Sequence, residues 1–315
     1  MKHRARIAAT LLGALAGCAW SHAASPAPAT APQAHAAPAA LLDAGAIGRA
    51  AGSEAKTTPD GVVRLSFPRG DVSVTVDGVA LRPFAGLSSW AAFVPAPGGA
   101  MVMGDTVVFE DEAEPALDAA FAHGLEVTAL HNHFFFDRPR VHFMHVGGMG
   151  NAVRLAEGVK AVWDAIREVR RARPEPATSF GGPVVAPGSI DAAAIERIVG
   201  QASEAEDGIV KVTIGRDGEM HGVRVGGSMG LTTWAAFSGS DALAAVDGDS
   251  IMAASEVQPV LHALRRAGFH VVALHNHMIG ETPVLYFTHF WGKGPAADLA
   301  RGFRAVLDAQ AAAGR

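Results

Sequence analysis

The sequence predicts an α+β protein made of two homologous tandem modules, each a mostly antiparallel sheet with covering helices. Three observations predict it. The chain repeats itself, strand-like and helix-like runs alternate within each copy, and the composition is that of a compact globular protein. Gly86-Leu87-Ser88-Ser89-Trp90-Ala91-Ala92-Phe93 returns as Gly230-Leu231-Thr232-Thr233-Trp234-Ala235-Ala236-Phe237, and Leu130-His131-Asn132-His133 returns as Leu274-His275-Asn276-His277. Both pairs stand 144 positions apart (234 − 90; 275 − 131), so roughly eighty residues align without a gap and about four in ten are identical. With 49% hydrophobic and 18% charged residues over 315 positions, the chain is long enough for two cores and too apolar to be largely disordered. The net charge of −5 comes with no long basic stripe, which argues against nucleic acid as a partner.

The first forty residues stand outside this pattern. Lys2, His3, Arg4 and Arg6 form a basic head before an apolar run from Ile7 to Ala16, too short to span a bilayer and shaped like a secretory signal. The run ends in Leu15-Ala16-Gly17-Cys18, which resembles the lipobox of bacterial lipoproteins, where the cysteine becomes the lipidated N-terminus. Ordinary cleavage after Ser21-His22-Ala23 is the rival, and the single cysteine at the required place favours the lipobox. The expectation is therefore a signal peptide with lipobox over 1–18, lipidation at Cys18, and an Ala/Pro-rich tether over 19–40. The protein is expected to be exported to the periplasm or cell surface and to meet the membrane only through that anchor. The first module then spans 41–171, a linker 172–187 and the second module 188–313.

Within each module a short helix (Asp43 to Ala51; Asp191 to Gln201) precedes strand-like runs at Val62–Phe67 and Val72–Val76, with counterparts at Val210–Ile214 and His221–Val225. The Trp-containing segment alternates as a strand does. Gly104-Asp105 and Gly248-Asp249 follow, where an Asp after Gly is expected to serve a turn. A helix over Glu112–His123 or Glu256–Ala267 ends at Gly124 or Gly268, a C-terminal cap signal. A strand bearing His-Asn-His comes next, and a further strand follows Pro139 or Pro283. An amphipathic helix (Ala152 to Val169; Ala296 to Ala309) closes each module over its sheet.

Residues two apart on a strand share a face, so His131 and His133 are expected to project together, as are His275 and His277. On the following strand His145 and His289 match between copies. His142, answered by Tyr286, lies on the opposite face from His145 and is left out. An adjacent antiparallel strand brings the third imidazole beside the first two, and three imidazoles with an open position form a catalytic type of divalent-metal site. Zinc suits it best, with manganese, iron or nickel as alternatives. Glu112 and Glu256 match between copies and are the candidate catalytic acid/base, although a carboxylate in a first helical turn also satisfies the dipole. Asn132 and Asn276 point away and are expected to brace a turn. The His-Asn-His string is not the dispersed nuclease motif of similar name, and no Gly-x-Ser-x-Gly elbow supports a serine hydrolase.

The strings Gly104-Asp105-Thr106-Val107-Val108-Phe109-Glu110-Asp111-Glu112, Val127-Thr128-Ala129-Leu130-His131-Asn132-His133 and Phe287-Thr288-His289-Phe290-Trp291-Gly292 resemble the LppY/LpqO family of bacterial lipoproteins, also called domain of unknown function 1259, in two tandem copies. That family has no established activity. Its pattern places an Arg after the shared Pro, which implies Arg140 as a residue for an anionic ligand. Val284 departs from the pattern, and Met149 replaces a frequent histidine. The expected function is a metal-dependent enzyme, hydrolase or lyase, acting on a small polar substrate at the cell envelope. The alternative is a non-catalytic protein that binds metal or a small ligand, and the oligomeric state is left open.

Overall fold

A computed structural model describes residues 41–315. The signal peptide, the lipobox with Cys18 and the tether lie outside the described residues. In the first module the order is α1 (Ala44–Ala51), β1 (Lys56–Thr57), β2 (Val63–Pro68), β3 (Val74–Val76), β4 (Val79–Leu81), β5 (Ser88–Ala96), β6 (Gly99–Phe109), α2 (Ala113–Ala122), β7 (Glu126–Asn132), β8 (Asp137–Arg138), β9 (Val141–Gly150) and α3 (Ala152–Ala172). The second module repeats it as α4 (Ala192–Val199), β10 (Ser203–Glu206), β11 (Ile209–Gly215), β12 (Gly218–Met220), β13 (Val223–Val225), β14 (Thr232–Gly239), β15 (Ala244–Ala253), α5 (Ala254–Arg266), β16 (His270–His275), β17 (Glu281–Thr282), β18 (Leu285–Gly294) and α6 (Ala296–Ala313).

The helices start and stop where local chemistry dictates. The Asp43 carboxylate accepts from the Ala46 N–H and that of Asp191 from the Ala194 N–H, each satisfying a free first-turn donor. Gly52 and Gly200 end the same two helices in the left-handed conformation. The run expected at His221–Val225 divides in two. His221 and Gly222 both take positive φ and form the two-residue turn between β12 and β13, as Asp77 and Gly78 do between β3 and β4.

The two modules share one antiparallel sheet of twelve strands, in the order β1-β2-β5-β6-β9-β7-β16-β18-β15-β14-β11-β10. The order reads alike from both ends. At its centre Leu130 of β7 stands opposite Leu274 of β16, and residues directly opposite share a face. Both leucines enter a single apolar core that continues through the two modules and takes in the inner faces of all six helices. On the other face each module carries a small three-stranded sheet, β4-β3-β8 or β13-β12-β17, over its own satellite cluster. Phe143 lies in the first cluster and Phe287 in the second. Gly104-Asp105 and Gly248-Asp249 lie inside β6 and β15 rather than in turns. The reason is packing: a Cβ on Gly248 would fall 2.1 Å from the Phe290 ring, and one on Gly104 3.0 Å from Val146. Among the described residues, no helix is long and apolar enough to cross a membrane.

Candidate metal centre

Each centre starts from a bulge. Strands β7 and β9 pair Val127 with Val146, shift register, then pair Ala129 with His145, Leu130 with Met144 and His131 with Phe143. The extra residue changes parity, so Val127 and Leu130 both enter the helix-side core while His131 turns to the opposite face with Phe143 and His145. The same shift separates Val271 from Ala273 in β16. Strand parity accounts for the first and third histidines but not the second, because β7 ends at Asn132 and β16 at His275. His133 is held instead by stacking on Phe143, with ring centroids 3.3 Å apart, and His277 by stacking on Phe287 at 3.4 Å. The Asn132 side-chain amide donates to the Phe134 carbonyl at 2.9 Å, and that of Asn276 to the Met278 carbonyl at 3.4 Å, bracing the two turns.

These constraints bring His131, His133 and His145 together, and likewise His275, His277 and His289, each set with one ligand nitrogen per residue within 4.8 Å of the others. His131 Nδ1 donates to the Asn132 carbonyl at 3.1 Å, which leaves Nε2 with its lone pair available. His275 Nδ1 is buried and has no hydrogen-bond partner. His133 and His277 are exposed, so both triads open to solvent. Burial, opposed by Asp105 and aided by His131 and His145, pushes the His133 imidazole below its ordinary pKa. Burial and the neighbouring histidines do the same to His275 and His277. Neutral imidazoles are the form that binds metal.

A carboxylate borders each triad. Asp105 is the cross-strand partner of His145, and Asp249 of His289. Asp105 Oδ1 stands 3.9 Å from His145 Nε2. Burial raises both carboxyls, against the pull of nearby imidazoles, and Asp249 reaches about 6.

The family described as Domain of Unknown Function (DUF1259) matches residues 45–165 and again 193–309. The chain belongs to this family. No curated protein matches it. Among solved structures, the fused permuted hexameric shell protein MSM0275 from the RMM microcompartment is 17% identical, over 70% of this chain and 89% of that one, with a TM-score of 0.17. EutL from Clostridium perfringens is 13% identical, over 70% and 84%, with a TM-score of 0.20. Likeness at these scores does not establish a common fold.

The remaining candidate residues of the two DUF1259 copies sit elsewhere. Glu112 is fully buried. Its Oε2 accepts from Arg69 Nη1 at 2.8 Å and from the Phe109 N–H at 3.0 Å, its Oε1 accepts from Arg69 Nη2 at 2.9 Å, and Arg170 Nε lies 2.7 Å from Oε1. Glu256 accepts from Arg216, the Ala253 N–H and Gln310. Neither glutamate is in the groups gathered at the triads. Arg140 is exposed and its charge acts on His142, whose pKa burial and that charge lower. Val284 is exposed at the matching place. Sequence reasoning assigned Asp105 and Asp249 to a turn, because nothing but the register sets them opposite the third histidine. It passed over Arg69 and Arg216, which lie where the copies align only with gaps.

Proposed function

We propose that each DUF1259 copy holds one divalent metal ion on its three histidines, and that the protein is a metal-dependent hydrolase or lyase acting on a small polar substrate outside the cytoplasm. The observation that carries this reading is the convergence of three imidazoles, in both copies, at a place open to solvent. The donor set fits. Three neutral nitrogens are a common ligand set for catalytic zinc, and a buried, partnerless His275 Nδ1 marks a polar atom that the protein alone leaves unsatisfied. Bound there, zinc, manganese, iron or nickel would supply Lewis acidity to a carbonyl or a water molecule. The protein's own part is to favour the neutral form of His133, His275 and His277 by burial, to keep His133 and His277 flat against Phe143 and Phe287, and to leave one side open for substrate. Lipidation at Cys18 would tether this chemistry to the cell envelope, and Arg140 would favour an anionic substrate at the first copy.

The test is metal content of the purified protein by mass spectrometry. Wild type is expected to carry two equivalents, His133→Ala and His277→Ala about one each, and the double variant none. If neither substitution changes the metal content, the reading is wrong. Metal in wild type with no exchangeable coordination position would instead favour the alternative function, a non-catalytic binder.

A further inference from the structure

We propose that Asp105 and Asp249 are the fourth protein ligands of the two centres, making each a three-nitrogen, one-oxygen site; the inference rests on the metal reading of the triads. Three observations carry it. First, in both copies the carboxylate lies directly across the ladder from the third histidine, on the same face and in the same register. Second, Oδ1 of each aspartate is buried and has no hydrogen-bond partner, and Asp249 is only 4% exposed. A buried ionised oxygen without a partner is costly, and folds keep one only where something else satisfies it. Third, among the described residues no Lys or Arg acts on either group. The charges acting on Asp105 are His145, His133 and His131, while Asp249 has His289, a hydrogen bond from the Ser250 backbone N–H and a second carboxylate, Asp247. A cation held on the adjacent triad would supply the missing partner, and among the described residues the two triads are the groups that offer a cation three nitrogen donors.

Donors bound at 2.0–2.2 Å to one ion stand about 3 to 3.5 Å apart. Asp105 Oδ1 is 3.9 Å from His145 Nε2 but outside the group in which all ligand atoms lie within 4.8 Å of one another, so the carboxylate has to swing in toward the other two imidazoles to join them. A carboxylate among three imidazoles leaves a bound dication with one net positive charge, and an exchangeable position for substrate then requires a five- or six-coordinate ion, which suits manganese, iron or five-coordinate zinc better than soft Cu(I).

The experiment titrates metal-free wild type, the Asp105→Asn/Asp249→Asn double variant and an Asp105→Ala/Asp249→Ala double variant with Co(II). It follows the visible d–d bands and the thermal melt. Wild type is expected to bind two equivalents. The Asn variant should bind at least about 100-fold more weakly with altered bands, and the Ala variant should show the same loss. Without metal, the Asn variant should melt a few degrees higher than wild type, because the unpartnered buried charge is gone. Unchanged affinity overturns the proposal. So does weaker binding with unchanged bands, which would make the aspartates positioning residues for His145 and His289. Failure of wild type to bind Co(II) would sink the metal reading itself, a result distinct from either of these.

Discussion

Among individual residues, the two pairs of carboxylates shared by the copies are used in different ways. Asp105 and Asp249 each keep one buried oxygen, Oδ1, without a hydrogen-bond partner beside the imidazoles, while Glu112 and Glu256 are engaged through both oxygens by guanidinium groups and backbone N–H donors. The second pair bears on stability. Burial alone would raise the Glu256 carboxyl, but hydrogen bonds from Arg216, Gln310 and the Ala253 N–H hold it below its ordinary value of 4.5. A carboxylate with a depressed folded-state pKa binds its proton more readily in the unfolded chain. Its contribution is therefore complete above 4.5 and is lost as pH falls through the lower folded value. Glu256→Gln should cost about 1–3 kcal/mol at neutral pH and should flatten the loss of stability between pH 5 and pH 3, about the range this linkage covers. Urea unfolding at a series of pH values reads both effects. Parallel pH profiles for wild type and variant would show that the Arg216 pair contributes nothing to acid stability.

At the scale of elements, the repeat and its periodicities made most of the fold legible. The helices over Ala113–Ala122 and Ala152–Ala172, and the antiparallel neighbours β7 and β9, follow from apolar spacing and cap residues. Three features were not legible for a physical reason each. A bulge leaves no mark in composition, because one extra residue changes direction without changing polarity. The position of His133, one residue past the end of β7, depends on a stacking partner ten residues further on, Phe143. Gly248 looks like a turn glycine, yet it is a strand glycine that makes room for a ring: Phe290 Cζ lies 2.1 Å and its Cε atoms 2.6 Å from where a Cβ would stand. That ring cannot withdraw, since Phe290 is fully buried with the Phe269 ring 5.2 Å and the Phe303 ring 6.0 Å away. Gly248→Ala should therefore destabilise by about 3 kcal/mol or more, whereas Gly104→Ala, whose nearest neighbours are the Trp90 carbonyl oxygen and a Val146 methyl, both 3.0 Å away, should cost about 1–2 kcal/mol. Melting temperatures of the two variants decide it. Equal shifts would mean that the second module repacks around the added methyl.

For the whole molecule, the junction between modules is built to distinguish one half from the other. The backbone geometry is close to symmetric about Leu130 and Leu274, but the side chains that cross it are not. Glu114 and Asp118 on α2 face Arg265 on α5, with Glu114 Oε1 3.1 Å from Arg265 Nη1 and Asp118 Oδ1 2.9 Å from Arg265 Nε, and Glu114 also meets His270. In return Gln258 of α5 clamps the Val127 peptide, donating to its carbonyl at 2.8 Å and accepting from its N–H at 3.1 Å. Positions 118 and 121 of the first module correspond to His262 and Arg265 of the second, so pairing two first modules would set Asp118 against Phe121, and pairing two second modules would set His262 against Arg265. An edge strand left open by separating the halves invites pairing, and these charges select the partner. Fragments 41–175 and 176–315, produced separately and mixed, should therefore form a one-to-one complex in preference to either homodimer, and Arg265→Glu should weaken that complex at least about tenfold through like-charge repulsion. Native mass spectrometry of the mixture gives the answer. Two stable monomers that ignore each other would show that each module completes its own core and that the shared sheet is incidental. A statistical mixture of homodimers and heterodimer, unchanged by Arg265→Glu, would show that backbone pairing alone joins the halves.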